Sequence, residues 1–360
     1  MNTASSSLLN DTIAAITSAD SATRACARQR LEQLAIPHWA LGQLQDLAED
    51  LAAMCATMHP CLQRKMVVVM AADHGIVSAG VSKFPQEVTR EMVRNFCNEK
   101  ASINALARQC GAAVTVVDVG VAADLSDLSA FDNLLHRKIA PGSANFAQQA
   151  AMSRHQAEQA LEVGITVAQQ LGDRVDIFAT GDMGIGNTSP SSAIIATICR
   201  RSAAEVTGRG TGLDDAALQR KIAVLEQALK LHQPDPDDAV DVLAKVGGFE
   251  IGAIAGLILG SAAQGKPVVI DGVISSAAAL LAASLAPASR DYMIAGHRSV
   301  EQGQHIALQH LDKQPLLDLN LRLGEGTGAA LAFNIVDAAV AVLTEVATFA
   351  EAAVSGPEKR

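Results

Sequence analysis

The chain has 360 residues, a formal net charge of −10, and 49% hydrophobic but only 3% aromatic residues. This length suits one large α/β domain, or a large domain with a smaller one, and its core must be built from aliphatic side chains. The acidic balance, with both signs scattered along the chain, argues against a protein that binds nucleic acid or acidic membranes. The six cysteines form no C-x-x-C pair, so we expect reduced, mostly buried thiols in a cytoplasmic protein.

The N-terminal segment, to about Thr57, has a helical pattern and lacks the basic and apolar regions of a signal peptide. The first β-rich run after it leads into Asp73-His74-Gly75. A histidine beside an aspartate at a strand end is compatible with an acid–base pair or a metal ligand. A hydrogen-bonded turn is the more common arrangement of such residues, and we expect that one here.

Short, continuous apolar runs recur along the chain and are typical of strands buried on both faces of a parallel sheet. They are Met66–Met70, Val114–Val117, Val175–Ala179, Pro267–Ile270 and Tyr292–Ile294. Helical patterns lie between them, at 86–96, 103–109, 152–171, 191–202, 214–231, 249–264 and 275–285. This alternation predicts an open α/β sheet with right-handed crossovers. Open sheets bind ligands outside the carboxyl ends of their strands, which here carry Asp73, His74, Asp182, Asp271 and His297.

The segment Gly181–Pro190 follows a predicted strand and opens a predicted helix. Thr188 and Ser189 suit the N-cap of that helix, and Pro190 suits its first turn. Free backbone N–H groups at such a place can hold a phosphate. The segment lacks the third glycine of a dinucleotide fingerprint and the G-K-[ST] ending of a P-loop. An ordinary tight turn is the alternative, but the context favours phosphate binding.

A second glycine-rich loop spans Gly208–Gly212, and the helix after it carries Lys221, a candidate contact for an anion. Most lysines on helices are simply solvated, so this residue alone is a weak signal. The apolar runs 251–263 and 273–286 are short or interrupted and predict buried helices rather than membrane spans. The chain has no H-E-x-x-H motif, paired Cys/His cluster or aspartate-rich pyrophosphate motif, so no metal site is expected.

The stretch Leu321–Gly328 places one carboxylate, Glu325, between glycines and just before an apolar segment that runs from Ala329 to Ala350. The glycines permit turn conformations and clear side chains away from the acid. In a partly dry site the pKa of a carboxylate rises, and the group can act as a base near neutral pH. The alternative is an acid at a helix N-terminus that only complements the helix dipole. These residues alone leave both interpretations open.

Taken together, several segments resemble the nicotinate-nucleotide–dimethylbenzimidazole phosphoribosyltransferase family over about 31–350. The segments that carry the resemblance are Asp73-His74-Gly75, Gly184–Thr188, Lys245–Phe249, Asp271-Gly272 and Arg322–Ala330, in the family's order. The family transfers phosphoribose from nicotinate mononucleotide to 5,6-dimethylbenzimidazole without a cofactor or metal. The resemblance therefore implies a pentosyltransferase of cobalamin lower-ligand biosynthesis.

The resemblance also implies a structure and a site. It implies a homodimer with a Rossmann-like parallel sheet flanked by helices in a large domain, 60–325, and a small helical domain formed by 1–59 with 326–360. Glu325 matches the family's general base, and Lys221 matches its phosphate-contacting lysine. Gly184, Gly186 and Asn187 match its phosphate loop, and we add Asp182 and Thr188 to the nucleotide-binding set.

The chain departs from the family pattern at two places. The family's N-terminal Lys-Pro-x-Gly-Ser-Leu-Gly stretch reads Ile36–Gly42 without its lysine and serine, and Asp182 stands where the family often has glutamate. Three other functions are alternatives: a nucleotide-dependent oxidoreductase, a nucleotide-binding module without turnover, and a paralogue that activates a different aromatic base. The first lacks its glycine fingerprint after the first strand, and the second has no need of Glu325.

Overall fold

The computed structural model describes residues 8–210 and 212–355, which form a parallel α/β fold. The strands are β1 Lys65–Ala72, β2 Ala112–Gly120, β3 Leu134–His136, β4 Ile177–Met183, β5 Val268–Ile270, β6 Met293–Ala295, β7 His297–Ser299 and β8 Leu317–Leu321. The helices are α1 Leu8–Ala15, α2 Ser21–Glu32, α3 Gln43–Met54, α4 Glu87–Cys97, α5 Ser102–Gln109, α6 Arg154–Gly172, α7 Thr188–Ile198, α8 Ala203–Val206, α9 Asp215–His232, α10 Ala239–Val246, α11 Phe249–Ala262, α12 Val273–Leu285, α13 Gln302–His310 and α14 Thr327–Glu345.

The main sheet has six strands in the order β3-β2-β1-β4-β5-β6, and every neighbouring pair is parallel. The chain enters at β1 in the middle, builds one half outward through β3, and returns to β4 to build the other half. Crossovers therefore leave β1 and β4 in opposite directions and open a crevice at their carboxyl ends. The predicted parallel α/β sheet is confirmed. Strands β7 and β8 form a separate two-stranded parallel sheet.

The five predicted strands are all present, with shifted ends. The largest shift concerns β4, which begins at Ile177 and runs through Met183, so Asp182 lies within the strand and not after it. The short strands β3 and β7 were missed because each contains a histidine and neither forms a continuous apolar run, unlike the equally short β5 and β6. Strand β8 and the helices α8, α10 and α13 were also missed, and the predicted helix at 191–202 corresponds to α7, which ends at Ile198.

Strand β1 shows why the apolar runs are continuous. Successive residues from Val67 to Ala72 belong alternately to two hydrophobic clusters, and all of them are fully buried. Side chains that follow each other along a strand point to opposite faces, so both faces of the sheet are covered. The cluster on one face includes residues of α1, α6, α7 and α9 to α12, and the cluster on the other face includes residues of α2 to α5 and α14.

The two ends of the chain meet at one side of the molecule. The N–H of Ala35 donates to the carbonyl of Ala347 at 2.9 Å, and that of Phe349 donates to the carbonyl of Gln33 at 2.9 Å. Helices α2, α3 and α14 pack together but share their hydrophobic cluster with the sheet, whereas α1 packs on the opposite face against α6. The division into a large domain and a small helical domain stays a prediction.

Helix α14 is long and apolar enough to cross a membrane by length and composition, but 56% of that stretch is buried inside the protein. A core helix of this kind passes the same test. The six cysteines are unpaired thiols, and the expectation that most are buried was wrong, because only Cys97 and Cys110 are fully buried. Cys26 and Cys61 are exposed, since they lie on solvent-facing positions of helix and loop.

Candidate active site

The polar residues predicted at the strand ends meet at the carboxyl edge of the sheet. Asp73 and His74 follow β1, Asp182 lies near the end of β4, Asp271 follows β5 and His297 opens β7. All five are buried, with exposed fractions of 5% or less. Ionisable groups are rarely buried without partners, so the hydrogen-bond and charge partners of these five residues determine the chemistry available at this edge of the sheet.

Glu325 lies at this edge in a turn with an unusual backbone. Gly324, Glu325 and Gly326 all have positive φ, at 83°, 62° and 92°. For the glutamate this left-handed conformation costs on the order of 1 kcal/mol and persists only where neighbours hold it. Gly181 on β4 lets the turn approach, since a Cβ there would lie 2.6 Å from the Glu325 carbonyl oxygen.

The Glu325 side chain is 6% exposed, and its Oε2 accepts a hydrogen bond from the Ile103 N–H at 3.3 Å. Burial raises the pKa of Glu325 to about 7, while the Ile103 N–H opposes this and the charge of Asp271 adds to it. The carboxylate does face a helix N-terminus, but it is that of α5 and not of its own helix α14. The geometry therefore provides a carboxylate that exchanges a proton near neutral pH.

Asp182 connects this turn to the next loop. Its Oδ2 accepts from Asn187 Nδ2 at 2.9 Å, and Gly324 packs so closely that a Cβ there would lie 3.2 Å from both Asp182 oxygens. Burial raises the pKa of Asp182 well above its usual range, and the charges of Asp271, Glu250 and Glu325 contribute, while the bond from Asn187 opposes this. Its Oδ1 is buried and accepts no hydrogen bond from the residues that the structure describes.

The loop after β4 forms a tight turn into α7. The N–H of Asn187 donates to the Gly184 carbonyl and that of Ser189 to the Gly186 carbonyl, at 3.1 and 3.0 Å. Gly186 needs its positive φ of 89° for this turn. The N-cap is Asn187 and not Thr188 or Ser189 as predicted, because the helix begins one residue earlier than the sequence suggests.

Lys221 reaches this loop from α9 and is only 1% exposed. Its Nζ donates to Thr188 Oγ1 at 2.8 Å, and burial lowers its pKa to about 8, against the opposing charge of Glu301. Together with Ser82, Arg209 and Gly210, these residues line a cavity of about 50 Å³. The cavity brings together Gly184, Gly186, Asn187, Thr188 and Lys221 from the predicted set. It has the size of one small group and offers N–H groups, a hydroxyl and a cation, which suits a phosphate.

The second glycine-rich loop closes one side of this cavity. Gly210 N donates to Glu301 Oε1 at 2.9 Å, and its carbonyl accepts from Arg322 Nη1 at 3.4 Å. Thr211 lies outside the described residues. Sequence reasoning missed Glu301 and Arg209, because neither belongs to a motif with a known spacing.

The Asp73-His74-Gly75 turn is hydrogen-bonded, as predicted, through its backbone to Ser143. It also contains a pairing that the sequence did not reveal. His74 Nε2 lies 2.7 Å from Glu250 Oε1, and both side chains are fully buried. Burial alone would lower the pKa of His74, but the carboxylates of Glu250 and Asp73 raise it overall. Gly248 makes room for the pair, since a Cβ there would collide with the His74 ring.

The variant stretch Ile36–Gly42 does not contribute to the phosphate-sized cavity. Ile36, Pro37 and His38 instead border an apolar cavity of about 950 Å³ near the chain ends. The larger cavity holds none of the convergent polar groups, so cavity size does not locate the chemistry here. Within the described ranges 8–210 and 212–355, no group of three His, Cys, Asp or Glu side chains is arranged to hold a metal ion.

Comparison with known proteins gives one consistent result. Residues 16–354 match a family model described as phosphoribosyltransferase. The chain is 57% identical over 348 residues to the nicotinate-nucleotide–dimethylbenzimidazole phosphoribosyltransferase of Syntrophotalea carbinolica, covering 97% of this chain and 99% of that one. It is 52% identical over 355 residues to the enzyme of the same name from Desulfotalea psychrophila, covering 98% and 100%. The crystal structure of such an enzyme from Thermus thermophilus superposes with a TM-score of 0.89 at 44% identity, covering 94% of this chain and 100% of that chain.

Proposed function

The chain belongs to this phosphoribosyltransferase family, and on that premise we propose that it transfers phosphoribose from nicotinate mononucleotide to 5,6-dimethylbenzimidazole. The products are α-ribazole 5′-phosphate and nicotinate, of which the first serves the synthesis of the cobalamin lower ligand. One observation supports the proposal most strongly. Glu325 provides a buried carboxylate with a pKa of about 7, and Asp182 links its turn directly to the loop of a phosphate-sized cavity.

Glu325 acts as the general base. One ring nitrogen of dimethylbenzimidazole attacks C1′ of the ribose as the bond from C1′ to the nicotinate nitrogen breaks. The electron pair of that bond stays on the nicotinate nitrogen, so the positive charge of the pyridinium ring is lost. The proton on the second benzimidazole nitrogen passes to Glu325. Attack from the face opposite nicotinate inverts C1′ from β to α.

The phosphate of the nucleotide binds in the cavity at the start of α7. Gly184 and Gly186 keep this loop free of side chains, and the N-terminus of α7 favours an anion. Lys221 supplies a positive charge next to Thr188. Fixing the phosphate there orients C1′ for attack, and such positioning accounts for much of the rate of a substitution of this kind.

The leaving group already carries positive charge on its ring nitrogen, so its departure requires no metal ion to neutralise a developing anion. We place this enzyme in the cytoplasm as a homodimer, without nucleic-acid or membrane partners. The acidic net charge of −10 is compatible with that placement. From the family resemblance we expect the segment Val81–Gln86 to border the base pocket, and its residues Val81 and Ser82 line the phosphate-sized cavity.

The deciding experiment is an assay of the purified protein with nicotinate mononucleotide and 5,6-dimethylbenzimidazole in metal-free buffer. Chromatography should show nicotinate and α-ribazole 5′-phosphate in equal amounts. Dependence on added magnesium would contradict the metal-free mechanism. Absence of both products, with nucleotide binding still measurable, would favour a paralogue for another aromatic base, and a panel of benzimidazoles, adenine and phenols would identify that base.

A further inference from the structure

Asp271 is a fully buried carboxylate that accepts hydrogen bonds from the backbone on the C-terminal side of Glu325. Its Oδ2 accepts from the N–H of Gly326 at 3.2 Å, and its Oδ1 accepts from the N–H of Ala329 at 3.0 Å. Both donors belong to the start of α14, where the first N–H groups have no partner within the helix. By accepting two backbone N–H groups at once, the Asp271 side chain fixes the point where the turn becomes a helix.

The turn needs such an anchor because its backbone is strained. Three successive residues, Gly324 to Gly326, have positive φ, and the central one is not a glycine. Without the bond to the Gly326 N–H, Glu325 would relax toward the backbone conformations that glutamate prefers. The carboxylate would then leave the position fixed by its bond from the Ile103 N–H.

A second buried group, His297, faces Asp271. His297 Nε2 lies 3.4 Å from Asp271 Oδ1, and the histidine is 2% exposed. Burial would lower the pKa of His297, but the bond and charge of Asp271 raise it overall. The ring also packs against α14 at Gly328, where a Cβ would collide with it. His297 therefore lies against both Asp271 and the first turn of α14.

The other charged groups around Glu325 come from two elements. Asp182 lies on β4, and the charge of Glu250 on α11 raises the pKa of Asp182. Helix α5 contributes the Ile103 N–H and no charge from its first turn. Asp271 is the carboxylate whose charge acts on the pKa of Glu325. Its contribution to that pKa can therefore be separated from those of its neighbours by substitution.

We propose that Asp271 is a positioning residue for Glu325, and that His297 controls the charge that Asp271 presents to that carboxylate. The catalytic consequence rests on the proposed function, in which Glu325 takes the proton from the base. In this role Asp271 acts on the reaction through the turn that it holds and through its charge.

The test uses two substitutions that should move the pKa of Glu325 in opposite directions. Asp271→Asn removes the charge and one of the two acceptors, so the pKa of Glu325 should fall. His297→Gln removes the imidazole whose protonated form compensates the charge of Asp271, and it keeps Asp271, so the pKa of Glu325 should rise. The matched control is Asp118→Asn, since Asp118 is also a buried aspartate at a strand end that accepts a backbone N–H, from Val121 at 2.9 Å, away from Glu325.

The primary readout needs no turnover. Carbon-13 NMR of protein labelled at the glutamate carboxyl, with Glu325→Gln to assign the signal, gives the pKa of Glu325 in each ligand-free variant. Opposite shifts for Asp271→Asn and His297→Gln, with no shift for Asp118→Asn, support the inference. Shifts in the same direction, or an unchanged pKa in both, overturn it.

Kinetics with nicotinate mononucleotide and dimethylbenzimidazole then test positioning. Asp271→Asn should lower kcat about tenfold to a hundredfold with little change in KM for the nucleotide. An equal loss in the Asp118→Asn control would mean general destabilisation and would contradict positioning. If the wild type itself has no activity, the proposed function fails while the NMR result still decides the role of Asp271. Should Asp271→Asn not fold, His297→Gln alone remains decisive through the sign of its shift.

Discussion

At the residue scale, a buried carboxylate can serve as a general base only if its pKa lies near the pH at which the enzyme works. Glu325 meets this condition because burial raises its pKa to about 7. The same burial means that ionised Glu325 lowers the free energy of unfolding. Two predictions follow from these opposite effects, one for activity and one for stability.

Glu325→Gln removes the base and leaves the turn intact. Turnover should fall by about a hundredfold or more, because proton transfer by a positioned base contributes on that order. Binding of nicotinate mononucleotide should change little, as measured by calorimetry. In the wild type, kcat/KM should rise with pH through about 7, since only ionised Glu325 accepts a proton. Wild-type turnover in the variant, or a profile without that limb, would contradict the role.

The same substitution should stabilise the protein at alkaline pH. Glu325 has a folded pKa of about 7, above its ordinary value of 4.5, so the folded state binds the extra proton between these values. Stability is therefore lost as pH rises through this window, by at most about 3 kcal/mol and less where solvent screens the group. Urea titrations should show Glu325→Gln more stable than wild type at pH 8 and equal to it near pH 4. Equal stability at both pH values would contradict the burial cost.

Lys221→Ala should mainly weaken the binding of phosphate-bearing substrate. KM for nicotinate mononucleotide should rise about tenfold to a hundredfold, the range expected for a charge-assisted hydrogen bond. Nicotinate riboside, which has no phosphate, should lose little. Lys266→Ala is the matched control, since Lys266 bonds the Gly172 and Val175 carbonyls away from the cavity. An equal loss with the riboside would argue against a phosphate contact.

At the element scale, most predicted strands and helices are present because their apolar patterns extend over enough residues to show a period. The short strands β3 and β7 have no such pattern, and their existence depends on pairing with neighbours. The close crossing of α6 and α11 likewise depends on contacts between residues that are distant in sequence. Gly164 and Gly256 bring the two backbones together, and a Cβ on Gly256 would collide with the Leu161 carbonyl oxygen.

Gly256→Ala should destabilise the protein by about 1–3 kcal/mol, since an overpacked core has to shift backbone. The better helix propensity of alanine offsets this by only about 1 kcal/mol. Gly172→Ala is the control, because its Cβ would meet only the side-chain end of Gln264, which can move. Denaturant midpoints measure both. A stabilised Gly256→Ala variant would show that the helices are not in the described contact.

At the scale of the whole molecule, the chain ends pack on the sheet that carries the site. Apolar residues of α14, including Phe333 and Val336, share one cluster with Val67 and Val69 of β1. Unfolding the helices around α14 would therefore expose one face of the sheet. Because the helices and the sheet share one hydrophobic cluster, we expect them to unfold in a single cooperative transition, even if the helices count as a separate domain.

The single tryptophan makes this testable. Trp39 lies in the N-terminal helical segment and donates to Asp46 Oδ1 at 2.8 Å. Urea unfolding followed by Trp39 fluorescence and by far-ultraviolet circular dichroism should give coincident curves at a fixed protein concentration. A Trp39 transition at lower urea than the circular dichroism transition would show that the helical segment unfolds on its own.

The amino-acid sequence was enough to predict the parallel α/β class, the positions of most elements and the carboxylate between glycines, because periodicity and glycine placement are local properties. It also determined the family, since five motifs occur in order. Only the tertiary structure decided the partners across space: His74 with Glu250, Asp271 with the Gly326 N–H, and Glu301 with the Gly210 N–H are 176, 55 and 91 residues apart. A pattern along the chain reports which side of an element is buried, whereas the partner of a buried polar group depends on how distant elements pack.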